Sequence, residues 1–268
     1  MQGPIDLPPP PPLRPRSVGE ILEAAFGLYA KHWASLIQIV AIVVIPLSVI
    51  QAWLSDAATG DAVVRNVNGE VVLREGSGGI LAGAALTGLL TLVIQQILIG
   101  AIAWAVASVL VGREPNVGEC YRFGYRRLWS ILLVSILFGL AVFAGLIALV
   151  IPGIIIAVRL SVSIPALVVE RKRGTEALGR SWDLVRGFSW PVFGAFIVVA
   201  LLTGIVNGLF SAIGGNNWFF SGLFGGIGSS ITTPFTGLVI GLIYFDLRVR
   251  KENLDIPRLE GELRAASA

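Results

Sequence analysis

Few residues in this 268-residue chain are equipped for chemistry, and their types and spacing limit what that chemistry is. Metal hydrolysis and triad chemistry both need histidine at fixed offsets from a carboxylate, serine or cysteine. The chain has one histidine, His32, with no serine or cysteine motif beside it, which rules out a HExxH metal site and leaves no His-based triad to read. A single cysteine, Cys120, excludes an intrachain disulfide and a cysteine-built zinc site, and reads as small apolar filler in a helix. No GxSxG elbow and no phosphate-binding loop occurs. The glycine-rich Gly214–Gly228 stretch (GGNNWFFSGLFGGIG) matches neither and reads as a loop that allows a sharp turn and close helix approach. The sequence therefore offers no catalytic, cofactor-binding or metal-binding residue.

What remains is electrostatic. Arg159 falls inside an apolar run, where a charge costs at least about 2.5 kcal/mol on insertion scales. Gln95, Gln96 and Asn207 lie in other apolar runs and are its candidate polar partners. Together these four would make an anion or lipid-phosphate contact between helices. The structural alternative is an arginine that snorkels toward the headgroups or is hydrogen-bonded.

The elements that position such residues follow from composition. Charged residues are 14% of the chain and hydrophobic ones 55%, with a mean hydropathy of +0.81. A soluble domain carries roughly a quarter charged residues, so the composition argues against a soluble enzyme. A bilayer-crossing helix needs about 20 mostly apolar residues. Six such runs are predicted, over about 33–54, 80–111, 129–151, 154–169, 190–213 and 223–245. The fold class is all-α, a polytopic membrane domain over 17–252. Pro152-Gly153 punctuates the turn between the third and fourth runs. Pro46, Pro165 and Pro234 predict kinks. Gly204/Gly208, Gly222/Gly226 and Gly237/Gly241 have the spacing of close helix pairs.

Orientation follows from lysine and arginine. Seventeen of the 20 basic residues fall before the first run or in connections on that same side. Only Arg65 and Arg74 lie opposite, and Arg159 lies within a run. The positive-inside rule then places both termini in the cytoplasm, and six spans satisfy that parity. Trp33, Trp129, Trp190 and Tyr244 fall at the basic ends of the runs, and Trp53 and Trp218 at the opposite ends, as an interfacial belt requires. Trp104 lies within a run and has no role beyond packing.

Three stretches preceding the odd-numbered runs resemble one another. They are Val18-Gly19-Glu20 through Trp33, Val117-Gly118-Glu119 through Trp129, and Gly174-Thr175-Glu176 through Trp190. Each opens with an acid, as a helix N-terminus favours, and closes with basic residues and a tryptophan. They read as interfacial helices, each feeding a span, so that helix, span and return span recur as three repeats. Outside the spans, residues 1–16 form a proline-rich cytoplasmic tail in which Pro8 to Pro12 would adopt polyproline II, a possible docking segment. The outer loop, 55–79, contains Ala62–Leu73 alternating around Asn68-Gly69, a hairpin signal. Residues 253–268 form a charged cytoplasmic tail.

Four segments carry a resemblance: RSVGEILEAAFGLYAKHWASLI, ALVIPGIIIAVRLSVSIPALVVE (Ala148–Glu170), ALGRSWDLVRGFSW (Ala177–Trp190) and PFTGLVIGLIYFDLRVRKE (Pro234–Glu252). Together they resemble the bacterial family labelled glycerophosphoryl diester phosphodiesterase membrane domain, common in actinobacteria. The resemblance covers Arg16 to Glu252. It implies an integral membrane protein and no catalysis, because the phosphodiesterase barrel that such domains join is a separate soluble part for which this chain has neither length nor histidine. The expected function is a non-enzymatic membrane protein that organises or partners lipids or other membrane proteins, with no nucleic acid and no cofactor. The alternative is a small-molecule or lipid transporter with a polar site around Arg159.

Overall fold

The computed structural model describes residues 15–61, 63–65, 71–73, 78–110, 112–170, 172, 174–215 and 217–252. Pro8 to Pro12, Asn68-Gly69 and the 253–268 tail lie outside those residues. In chain order the elements are α1 (Val18–Asp61), β1 (Val63–Arg65), β2 (Val71–Leu73), α2 (Gly78–Leu110), α3 (Val117–Arg126), α4 (Leu128–Ala148), α5 (Val150–Leu160), α6 (Ser163–Val169), α7 (Thr175–Val185), α8 (Ser189–Gly214) and α9 (Trp218–Glu252).

Among the described residues, six helical stretches are long and apolar enough to cross a membrane: Val18–Asp56, Thr91–Leu110, Leu128–Ala148, Val150–Val169, Ser189–Gly214 and Trp218–Glu252. Their outward faces are hydrocarbon. Leu140, Phe143, Ile147, Leu201, Ile205 and Leu209 are 59–71% exposed. Water would penalise so continuous an apolar surface, whereas lipid does not. The chain is a multi-pass helical membrane protein. The hairpin signal in the loop after the first span is realised as β1 paired antiparallel with β2, in the register Val63↔Leu73, Val64↔Val72 and Arg65↔Val71.

Four local predictions are corrected. The turn between α4 and α5 is Leu149, in extended conformation, and not Pro152-Gly153. Pro152 sits in the first turn of α5, where its missing N–H would have no intrahelical partner in any case. Gly153 instead lets α5 lie against α4, since a Cβ there would fall 2.5 Å from the Leu146 side chain. Second, most of Gly214–Gly228 is helix. The reversal is confined to the residues around Gly215, and Asn217 caps α9 by accepting the Phe219 N–H at 3.0 Å. Third, Gly204 and Gly208 face open space. Gly222/Gly226 do seat α9 on α1 near Val49 and Ile45, and Gly237/Gly241 seat it on Ile102 and Val106 of α2. Fourth, Tyr244 is fully buried and is no belt residue.

The proline expectations resolve differently at each site. Pro46 and Pro234 lie inside α1 and α9. Pro165 lies in the first turn of α6, directly after the break at Ser161-Val162 that divides the fourth span. A further non-helical point, at His32, separates the first 14 residues of α1 from its apolar run.

That leading part of α1, with α3 and α7, corresponds to the three predicted short helices. Ser17 and Glu20 form a reciprocal capping box, with the Ser17 N–H donating to the carboxylate at 2.7 Å and the Glu20 N–H to the hydroxyl at 3.3 Å. Asn116 caps α3 through the Glu119 N–H at 3.2 Å. α3 crosses α2 where Gly100 meets Gly124, and a Cβ on Gly124 would lie 2.2 Å from the Ile97 carbonyl oxygen. Beside this crossing Trp104 stacks on Phe123 at 4.6 Å, the packing role expected of it.

Candidate functional site

At the end of the bundle where α6, α7 and α9 meet, two arginines and two glutamates are locked together. α9 supplies Tyr244, Arg248 and Glu252, spaced by four so that they share one helix face. Glu170 follows α6, and Arg180 lies on α7. Arg180 Nε donates to both Glu170 oxygens at 2.8 Å, and its Nη2 donates to Glu252. The Tyr244 hydroxyl donates to Glu170 at 2.8 Å, and Arg248 Nε donates to Glu252 at 3.0 Å. Arg248 is 1% exposed, so its charge depends on protein partners in place of water, these two carboxylates among them. Burial works against the Arg180 charge, but the hydrogen bonds and charges of Glu170 and Glu252 outweigh it and hold its pKa above the ordinary value.

The neighbouring turns of α9 extend this clamp. Asp246 accepts Arg250 Nε at 2.7 Å and the Arg16 N–H at 2.6 Å, tying the start of the described chain to α9. The Arg250 guanidinium lies 5.3 Å from the Phe188 ring centre. Lys251 donates to the carbonyls of Asp183 and Arg186, satisfying the C-terminal end of α7. Sequence reading took Arg180, Arg248, Arg250 and Lys251 as markers of orientation and missed their partners. The available signal was the i, i+4 spacing of Arg248 with Glu252 and of Asp246 with Arg250.

Three of the four residues expected to form an anion contact are engaged elsewhere, and the fourth, Gln95, is exposed. The Arg159 guanidinium lies 4.5 Å from the Trp182 ring centre on α7, and its carbonyl accepts the Ser181 hydroxyl at 2.8 Å. Its buried Nε has no hydrogen-bond partner among the described residues, so the indole face provides its compensation. Gln96 on α2 accepts the Ser135 hydroxyl of α4 at 2.7 Å. Gln95, next along α2, is exposed. Asn207 on α8 donates to Thr203 O at 2.9 Å and to Thr232 Oγ1 of α9 at 3.2 Å. Arg159 lies in the last turn of α5, just before the Ser161-Val162 break, and that break delivers it to α7.

The remaining chemistry-bearing residues are also engaged. His32, buried at the α1 break, places Nδ1 3.0 Å from the exposed Glu114 carboxylate. Cys120 has no exposure, and burial followed by the neighbouring Glu119 charge pushes its thiol up to about 12. The Tyr121 hydroxyl donates to the Ile39 carbonyl, and burial likewise pushes it up to about 12.

Between α2 and α8, over α9 and beneath α6, lies a cavity of about 490 Å³. Among its lining residues are Ile102, Val106, Asn207, Thr232, Thr236 and Phe245, and none of the lining residues is ionisable. Arg159, Gln95 and Gln96 are not part of it. Comparison of the chain with protein families, with curated proteins and with solved structures returns no match.

Proposed function

We propose that this is a non-enzymatic protein of a bacterial cytoplasmic membrane that grips the anionic inner leaflet and there organises lipids or partner membrane proteins. One observation carries the reading. Trp33, Trp129 and Trp190 each stand at the head of an apolar run, each follows a short helix with a basic residue at or just past its end (Lys31, Arg126 and Arg186), and they are 56%, 79% and 81% exposed. An indole left that open suits the headgroup boundary, where its ring is apolar and its N–H stays wet. Exposed Lys31, Arg113, Arg122, Arg126 and Arg186 supply positive charge at the same level. With both termini on this basic side, the inner leaflet is the surface gripped. The recurrence of short helix and two spans supports three parallel repeats, and the quoted motifs support kinship with the phosphodiesterase membrane-domain family. Arg159, held by Trp182 and apart from the cavity, favours this reading over transport through a charged site.

The test has two arms. Single cysteines in the 55–79 loop and just after Glu170 are labelled from each face of oriented vesicles, and opposite accessibility is expected. The protein carrying K31E, R122E, R126E and R186E is then purified with its bound lipid. Each charge is worth about 1 kcal/mol near an anionic surface, so co-purified anionic phospholipid falls several-fold. Labelling of both sites from one face, or unchanged anionic lipid in the variant, overturns the reading.

A further inference from the structure

The cavity beside α9 is divided along its length. Toward the α8–α9 turn its walls carry Thr203, Asn207, Ser229, Thr232, Thr233 and Thr236, and toward α6 they are mainly hydrocarbon, with Ile164, Ile240 and Phe245, the exception being Ser161, whose hydroxyl donates to the Val158 carbonyl. Ser229 to Phe245 spans about 24 Å of helix, most of the roughly 30 Å hydrocarbon thickness of a bilayer. Its volume of about 490 Å³ lies within the range of about 300–1,000 Å³ usual for small-molecule sites. A charged guest would find no counter-ion among the described residues, none of whose ionisable side chains lines the space.

The polar half also has a direction. Thr203, Thr232 and Thr236 each donate their hydroxyl proton to a carbonyl of their own helix, at 3.2, 3.1 and 3.0 Å. The Asn207 amide nitrogen is engaged with Thr203 O and Thr232 Oγ1. What these four side chains have left for a guest is acceptor capacity, hydroxyl lone pairs and the Asn207 Oδ1, while the Ser229 and Thr233 hydroxyls in the same wall can donate or accept, so acceptors predominate. We infer that the cavity is a binding site for a single-chain, uncharged membrane amphiphile whose headgroup donates a hydrogen bond, with the head toward the α8–α9 turn and the chain toward α6. The site is separate from the basic helices that carry the proposed function.

The probe is 1-oleoylglycerol, added to the detergent-solubilised full-length chain and followed by native mass spectrometry. Methyl oleate, which lacks a donor, and 1-oleoylglycerol 3-phosphate, which carries charge, serve as chain-matched comparisons. One 1-oleoylglycerol per protein is expected, with methyl oleate about five-fold weaker for the loss of one hydrogen bond. The phosphate should be at least about fifty-fold weaker. T236V should erase the preference over methyl oleate, and A103F, which puts a ring into the cavity from its α2 wall, should remove binding of all three. If A103F elutes as misfolded protein, I240F takes its place. Equal binding of the three probes, absence of saturable binding, or binding that survives the filled cavity overturns the inference.

Discussion

Replacing Glu170 by glutamine removes one of the two carboxylates that hold the α6–α7–α9 clamp and leaves both arginines in place. Among the described residues the wild-type cluster is neutral, and E170Q adds one positive charge to it. Arg248, whose side chain is 2% exposed, loses a carboxylate at 3.8 Å, and Arg180 loses a two-oxygen acceptor. Breaking a buried pair by removing one partner costs about 3–5 kcal/mol. Glu252 still serves both arginines, so the lower end applies, about 3 kcal/mol. For a chain of this size that is roughly a 6–12 °C fall in the unfolding midpoint, read by fluorescence-detected size-exclusion after heating in detergent. The double variant E170Q/R180Q restores neutrality and should recover part of the loss. A midpoint within about 2 °C of wild type for E170Q, or a double variant as unstable as the two single losses added, would refute the coupling.

Two further outcomes follow from burial and packing. Cys120 should resist maleimide at about pH 7 in the folded protein and react once it is denatured, because its thiol pKa is pushed up to about 12. The folded state keeps that proton where the unfolded chain, with a thiol near 8.5, releases it. The contribution to stability is therefore whole below about pH 8.5 and is lost as pH rises toward 12; stoichiometric labelling of the folded protein would contradict this. G124A should lower the unfolding midpoint by several degrees, since its Cβ meets the Ile97 carbonyl at 2.2 Å and α3 must lift from α2. G204A, facing open space, should leave the midpoint unchanged or raise it slightly, and equal effects of the two would undo the assignment of these glycines.

The sequence by itself determined the number of spans, because crossing hydrocarbon is a condition on local composition that each segment meets alone. It also determined the hairpin at Val63–Leu73 and the three short helices, whose acids, caps and closing basic residues act within a turn or two. The same locality let Trp104 and Cys120 be read as packing. Sequence reading failed where the deciding distance joins residues far apart in the chain. Arg159 was paired with Gln95, Gln96 and Asn207 because all four are polar in apolar runs, yet the break at Ser161-Val162 brings it to Trp182. Gly204 and Gly222 are indistinguishable by spacing, and only the packing of α9 on α1 leaves one open and the other in contact. Tyr244 looked like an interface aromatic until α6 and α7 closed over it. The clamp and the cavity were decided by tertiary structure alone: each takes groups from three or more helices, and no segment carries enough of either to be read by itself.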